Sequence, residues 1–248
     1  MKISSVLLFG FMLVGKVYAA DSVYVESISG TNVNIIDQSN STAASEGAEV
    51  KAGQHVKTGA NSNVGLIFPD GSRLILSHDS ELEIDSPING AHSSQLIDGT
   101  LQAVIEKAPA KKANHKFYIR TSTAVMGVRG TEFIVDHSVG NSELQVHTME
   151  GQVDVAKDLK SLRAGQGVPL KSGEAITSNR QGLAAKSSFN IKEYREQIKK
   201  QHPGIYRMRN LVSHNKLKPN GGPQALNKKT KAGSEILKET KLRHERRH

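Results

Sequence analysis

Apolar and polar positions alternate with a period of two along most of this chain, the signature of half-buried strands. Leu82 and Ile84 alternate with Glu81, Glu83 and Asp85. Leu144, Val146 and Thr148 alternate with Glu143, Gln145 and His147. Val23–Ile28 and Val33–Ile36 flank a Ser29-Gly-Thr-Asn32 turn and predict a first hairpin. Gln38–Ser45 is polar and turn-rich and predicts a loop, after which Glu49–Val56 resumes strand character. Pro69-Asp70-Gly71 between Val64–Phe68 and Ser72–Ser77 predicts the clearest hairpin. Leu74-Ile75-Leu76 lacks alternation, as in a strand covered on both faces. Pro87–Ser94 predicts a loop, and Gln95–Ile105 predicts strands interrupted at Asp98-Gly99. Glu150-Gly151 predicts a two-residue hairpin leading to Val153 and Val155. Short antiparallel strands at this spacing predict an all-β fold: a sandwich, a roll or a solenoid-like stack. No exact repeat is present, which disfavours a regular solenoid.

The pattern changes after about residue 180. Asn190 followed by Glu193 has the form of a helix cap, and Ile191, Tyr194 and Ile198 share one helical face. This predicts a short helix over 190–200, ended by His202-Pro203-Gly204. Pro219–Pro223 is a break, and Glu235–Arg247 predicts a second, charged helix. Apolar residues are too few here for a separate core, so one docked helix and a mostly mobile basic end are expected.

Composition adds a compartment. Lys2, the apolar run Ile3–Val14 and Val17-Tyr18-Ala19 have the order of a signal peptide, and about twelve apolar residues fall short of the roughly twenty a membrane span needs. The expected organisation is therefore a signal peptide at 1–19, a β-domain at 20–180 and a basic tail at 181–248. The mature chain would be periplasmic or secreted. There is no cysteine, which excludes disulfides, thiolate metal sites, a cysteine nucleophile and a lipid-modified N-terminal cysteine. The formal charge of +9 is uneven. Residues from Gln181 onward hold eleven Lys and six Arg against five Glu, a net +12, and leave the first 180 at −3. Such asymmetry suggests a domain with an interaction arm.

The most informative stretch is Phe117-Tyr-Ile-Arg-Thr-Ser-Thr-Ala-Val-Met-Gly-Val-Arg-Gly-Thr-Glu-Phe-Ile-Val135. It begins and ends as strand, with Gly127 and Gly130 marking a bulge or tight corner. The segment resembles the signature of the FecR-type periplasmic domain, and Thr123, Gly127, Arg129, Gly130, Thr131 and Phe133 carry the likeness. The resemblance continues into Val146–Val153 and Leu162–Gly167 and back to Phe68–Leu74, covering roughly residues 45–180. It implies a β-fold that binds proteins or polymers of the cell envelope. Family members of the regulatory type also carry a cytoplasmic anti-sigma region and a membrane span; here a signal peptide is expected in their place, so the signalling role is not expected to carry over.

No chemistry competes strongly with that reading. Arg129 between its two glycines suits either anion recognition or bracing of the corner by its fixed fork, and the second fits a strand setting better. Glu81, Glu83 and Asp85 are a solvated strand face before they are a calcium site, which wants six to eight oxygen ligands. His137 and His147 could approach one another across the Gly140-Asn141 turn. The sequence has no zinc-type histidine spacing, nucleophile elbow or phosphate-binding glycine loop, so neither catalytic residues nor cofactors nor metals are assigned. Lys228, Lys229, Lys231, Lys241, Arg243, Arg246 and Arg247 are candidate contacts to a polyanion, such as an envelope polymer or lipid headgroups. Nucleic acid is disfavoured in that compartment. The expected function is a non-catalytic exported module that binds a protein partner, through an exposed strand edge or, alternatively, binds envelope polymers through the tail.

Overall fold

A computed structural model describes residues 22–107 and 115–214 of the protein. The expected signal peptide, the Ala108–Asn114 connector, the expected Glu235–Arg247 helix and the seven tail cations named above lie outside the described residues. The first part of the chain forms β1 (Val23–Ser29), β2 (Val33–Asp37), β3 (Asn40–Ala43), β4 (Glu49–Val50), β5 (His55–Thr58), β6 (Asn63–Ile67), β7 (Arg73–Leu76) and β8 (Ser80–Ile84). The long β9 (His92–Val104) leads to β10 (Phe117–Arg120), β11 (Val125–Val128), β12 (Glu132–Ser138), β13 (Glu143–Glu150) and β14 (Gln152–Ala156). Then come helix α1 (Leu159–Arg163), β15 (Val168–Lys171), β16 (Glu174–Asn179), β17 (Gly182–Leu183) and β18 (Ser187–Ser188). Helices α2 (Ile191–Gln201) and α3 (Pro203–His214) finish the described chain.

The strands build two sheets. The first runs β4-β1-β6-β7-β9-β12-β13-β16, with β17 and β18 beyond β16. The second runs β3-β2-β5-β8-β9-β10-β11-β14-β15. Strand β9 belongs to both. Its first half pairs with β8 and, in parallel, with β10, and its second half pairs with β7 and β12. The chain passes back and forth between the sheets as it advances, and their inner faces close on one core. Val25, Leu66, Leu74, Leu101, Phe133 and Val146 from the first sheet meet Val56, Leu82, Leu96, Phe117, Met126 and Val155 from the second. The all-β expectation holds, in the form of a sandwich-like roll.

The to-and-fro path corrects several local expectations. β1 and β2 are not a hairpin, since β1 pairs with β4 and β6 while β2 pairs with β3 and β5. Glu150-Gly151 likewise does not close a hairpin; it is the corner at which the chain leaves the first sheet for the second, where β14 pairs with β11 and β15. Alternation and turn residues look the same whether the next strand pairs with the last or crosses to the opposite sheet. Asp98-Gly99 bends β9 without interrupting it, with Gly99 at φ +94°. The polar stretch 38–45 contains strand β3, joined to β2 by the two-residue turn Gln38-Ser39.

Corners Gly130 and Gly151 stand side by side. Gly130 has φ +71° and Gly151 φ +81°, and a Cβ on Gly151 would lie 2.6 Å from the Gly130 carbonyl oxygen. Positive φ favours glycine at both crossings, and at Gly151 the closeness of the Gly130 backbone requires it for space as well.

Candidate interaction surfaces

The outward side chains of the first sheet form cross-strand rows. In one row Ile75 on β7 faces Gln102 on β9, which faces Ile134 on β12, then His147 on β13 and Ala175 on β16. An antiparallel sheet with one solvated face carries polar residues there. This row instead places two isoleucines outward, and both are buried.

Helices α2 and α3 cover them. Asn190 caps α2: its side chain accepts from the Lys192 and Glu193 amides, and its Nδ2 donates to Glu193. Ile198 of α2 and Ile205 and Met208 of α3 pack on Ile75 and Ile134, with Tyr194 at the margin. The expected docked helix is thus accompanied by a second, for which Pro203 serves as a first-turn residue. The signal was present: Ile205, Met208 and Val212 repeat at helical spacing. The backing of Ile75 also explains the unalternating Leu74-Ile75-Leu76.

The anchor of this helical hairpin is Glu132, inside the Phe117–Val135 signature. Its carboxylate is buried and accepts from Arg209 Nη2 at 2.8 Å and Nε at 3.1 Å, and from Gln102 Nε2 at 2.8 Å. Arg195 approaches to 3.6 Å. This paired geometry is the strong form of an arginine–carboxylate contact, and it holds the Arg209 guanidinium above its usual pKa. Beside it the His147 ring stacks on Tyr194 at 4.1 Å and meets Phe189 edge-on. Burial lowers the His147 pKa to about 4 and raises that of Tyr194. A cleft of about 310 Å³ opens next to this stack, lined by Asp136, Gln145, His147, Tyr194 and Gln197 among others.

The signature residues lie on β11 and β12 and in the turns that flank them. Phe133 is fully buried in the core. The Thr131 backbone exchanges hydrogen bonds with Ile105, and Thr123 lies in the β10–β11 turn, where its amide meets Thr121 Oγ1. Gly127 lets the His115 ring approach, where a Cβ would come within 2.7 Å. Arg129 is half-buried at the corner. His137 and His147 do not meet. His137 faces inward, bonded to Ser122 and the Glu143 carbonyl, while His147 faces outward. Their register partners, Leu144 and Ile134, stand three rungs apart.

The acidic strand face is paired with basic side chains. Glu81 bonds His55 and Lys57 across to β5, and Asp85 receives Arg120 Nη2 at 2.6 Å and Nε at 3.0 Å. Among the described residues no cluster of acids and histidines has the form of a metal site.

The sheet edges differ sharply. The first sheet ends in two-residue strands, β4 on one side and β17 and β18 on the other. The second sheet ends on one side in β15, where Pro169 and Lys171 interrupt and charge the edge. These are common ways of blunting an edge. On the other side it ends in β3, Asn-Ser-Thr-Ala, with all four residues exposed and neither proline nor charge. In a two-residue hairpin the closing pair Asp37–Asn40 exchanges both its bonds, as does Ile35–Thr42 two rungs on. The amides of Ser41 and Ala43 therefore point away from β2, along the open edge.

Residues 54–154 match the FecR protein family. This is narrower than the span of the resemblance, and leaves the Leu162–Gly167 step, β1 to β3 and the helical hairpin outside. No curated protein matches the chain. Two crystal structures, at 2.50 Å and 1.65 Å, of a candidate anti-sigma factor from Parabacteroides distasonis ATCC 8503 are similar, with 17% identity and a TM-score of 0.46. The likeness covers 56% of this chain and 61% of that one, less than two thirds of its length.

Proposed function

Taking residues 54–154 as a FecR-type domain, we propose that this protein is a non-catalytic module of the cell envelope that binds a protein partner by adding a partner strand to β3. Residues 1–19 serve in this reading as an export signal. The carrying observation is the contrast between edges. Among the described residues, every other edge strand is two residues long or blunted by Pro169 and Lys171, while β3 offers four exposed, uncharged residues. Strand addition takes its affinity from main-chain hydrogen bonds and its selectivity from alternate side chains.

The test is crosslinked capture from cell envelopes with the full chain and two proline variants. Ser41→Pro removes an amide pointing to the open edge and leaves the β2 ladder whole, so it should fold and lose the partner. Thr42→Pro removes a ladder bond and should loosen the hairpin itself. Capture of the same protein by native chain and folded Ser41→Pro would exclude the β3 edge.

A second reading has its own support. The hairpin exposes Lys192, Lys199, Lys200 and Arg207, continuing the positive charge of the residues after 181. Binding of an anionic envelope polymer or lipid surface through this arm would be released by salt and lost on truncation near Gly182.

A further inference from the structure

We propose that the outer face of the first sheet is a helix-receiving surface, filled in this chain by its own α3 and open to an amphipathic helix of the same pattern from a partner. The receiving groups lie in the FecR-type domain: Ile75, Gln102, Glu132 and Ile134 all fall within 54–154. The occupant lies outside it, beginning at Pro203. Ile75 and Ile134 lie on the outer side of the strand row and are nevertheless buried, and Glu132 on the same face is buried with its charge met by Arg209.

The seat defines what it accepts. Ile205 and Met208, three residues apart, fill the isoleucine row, and the next residue, Arg209, reaches Glu132 with both donors. At the start of α3, Gly204 lies so close to the Asn63 side chain that a Cβ would come within 2.2 Å of it. The recognised pattern is therefore Gly-Ile-x-x-Met-Arg on one helical face. Two aliphatic contacts and one arginine fork suffice to hold a helix already tethered through α2, where local concentration is high. A free helix of the same pattern competes once that tether is weakened. The partner is accordingly a helix bearing arginine one position after its second aliphatic anchor, and the surface is independent of the β3 edge.

A fluorescent peptide of residues 203–214 serves as probe against the full chain. The native chain, with its seat filled, should bind it weakly. Arg209→Glu places a carboxylate against Glu132, frees the seat and should bind the peptide at least tenfold more tightly. A peptide carrying Arg209→Glu should not bind that variant. Gly204→Leu, which keeps α3 off Asn63, provides a second route to a vacated seat and should also strengthen binding. Amide exchange over β7 and β12 shows whether each variant keeps its core. Equal binding to native and both vacated chains, or no binding to folded variants, would overturn the assignment.

Discussion

Alanine at Gly151 tests the idea that the chain crosses between sheets at two abutting corners. Gly151 has φ +81°, where an L-residue costs about 1–2 kcal/mol. Its added Cβ would also lie 2.6 Å from the Gly130 carbonyl oxygen and 3.2 Å from Thr131 Cα, backbone atoms that cannot rotate away. Forcing them apart adds the cost of overpacking, about 1–3 kcal/mol. The total is roughly 2–5 kcal/mol, which for a chain of this size lowers Tm by roughly 4–20 °C. Gly53 isolates the first contribution: it has φ +85° and nothing within 4 Å of a Cβ, so Gly53→Ala should cost about 1–2 kcal/mol. Gly130→Ala should fall between, because its nearest neighbour, Lys107 Cγ at 2.6 Å, belongs to an exposed flexible side chain. Gly130→Val should be worse than either alanine, since a branched side chain is poorly tolerated at positive φ. Melting followed by circular dichroism gives the order. Gly151→Ala melting level with Gly53→Ala would refute the abutting corners.

The remaining predictions concern the helical hairpin. Ile134→Ala should cost about 2–5 kcal/mol and expose α3 to protease, because the side chain is buried under Ile205 and Met208; an unchanged digestion pattern would contradict the docking. His147 is neutral in the fold with its pKa near 4, against about 6.5 unfolded. Above pH 6.5 it imposes no penalty. As pH falls from 6.5 to 4 only the unfolded or undocked chain takes up the proton, so stability is lost across that window by about 1–3 kcal/mol after solvent screening. The Tm difference between native and His147→Phe chains should shift against the native protein over the same range, and a flat difference would remove His147 from the account. Glu132→Gln should loosen the hairpin by about 1–2 kcal/mol through loss of the charge that holds Arg209, read as faster amide exchange in α3 with the core strands unchanged.

What was legible in the sequence follows from how local the governing physics is. Alternation at Leu82–Ile84 and Leu144–Thr148 gave the strand faces correctly, since period two depends only on neighbours. The Val64–Ser77 hairpin was readable from Pro69-Asp70-Gly71, and α2 from Asn190 and Glu193. Pairing partners were not readable, because Gly30 and Gly151 look like hairpin turns and instead carry the chain to the opposite sheet. β3 read as a loop since an exposed edge strand needs no apolar residue. Glu132 is inconspicuous inside the signature, where glycines and Arg129 dominate, since its role depends on Arg209, 77 residues away. Gln102, Ile134 and Ile75 were likewise unremarkable until register set them in one row.

The most direct test of the proposed function is amide hydrogen exchange of β3 in the free chain and with its captured envelope partner bound. In the free chain Thr42 should be protected through its ladder bond to Ile35, while Ser41 and Ala43 exchange rapidly. Binding by strand addition should slow Ser41 and Ala43 at least tenfold and leave Thr42 nearly unchanged. If both amides exchange as fast in the complex as in the free chain, the partner does not bind at this edge.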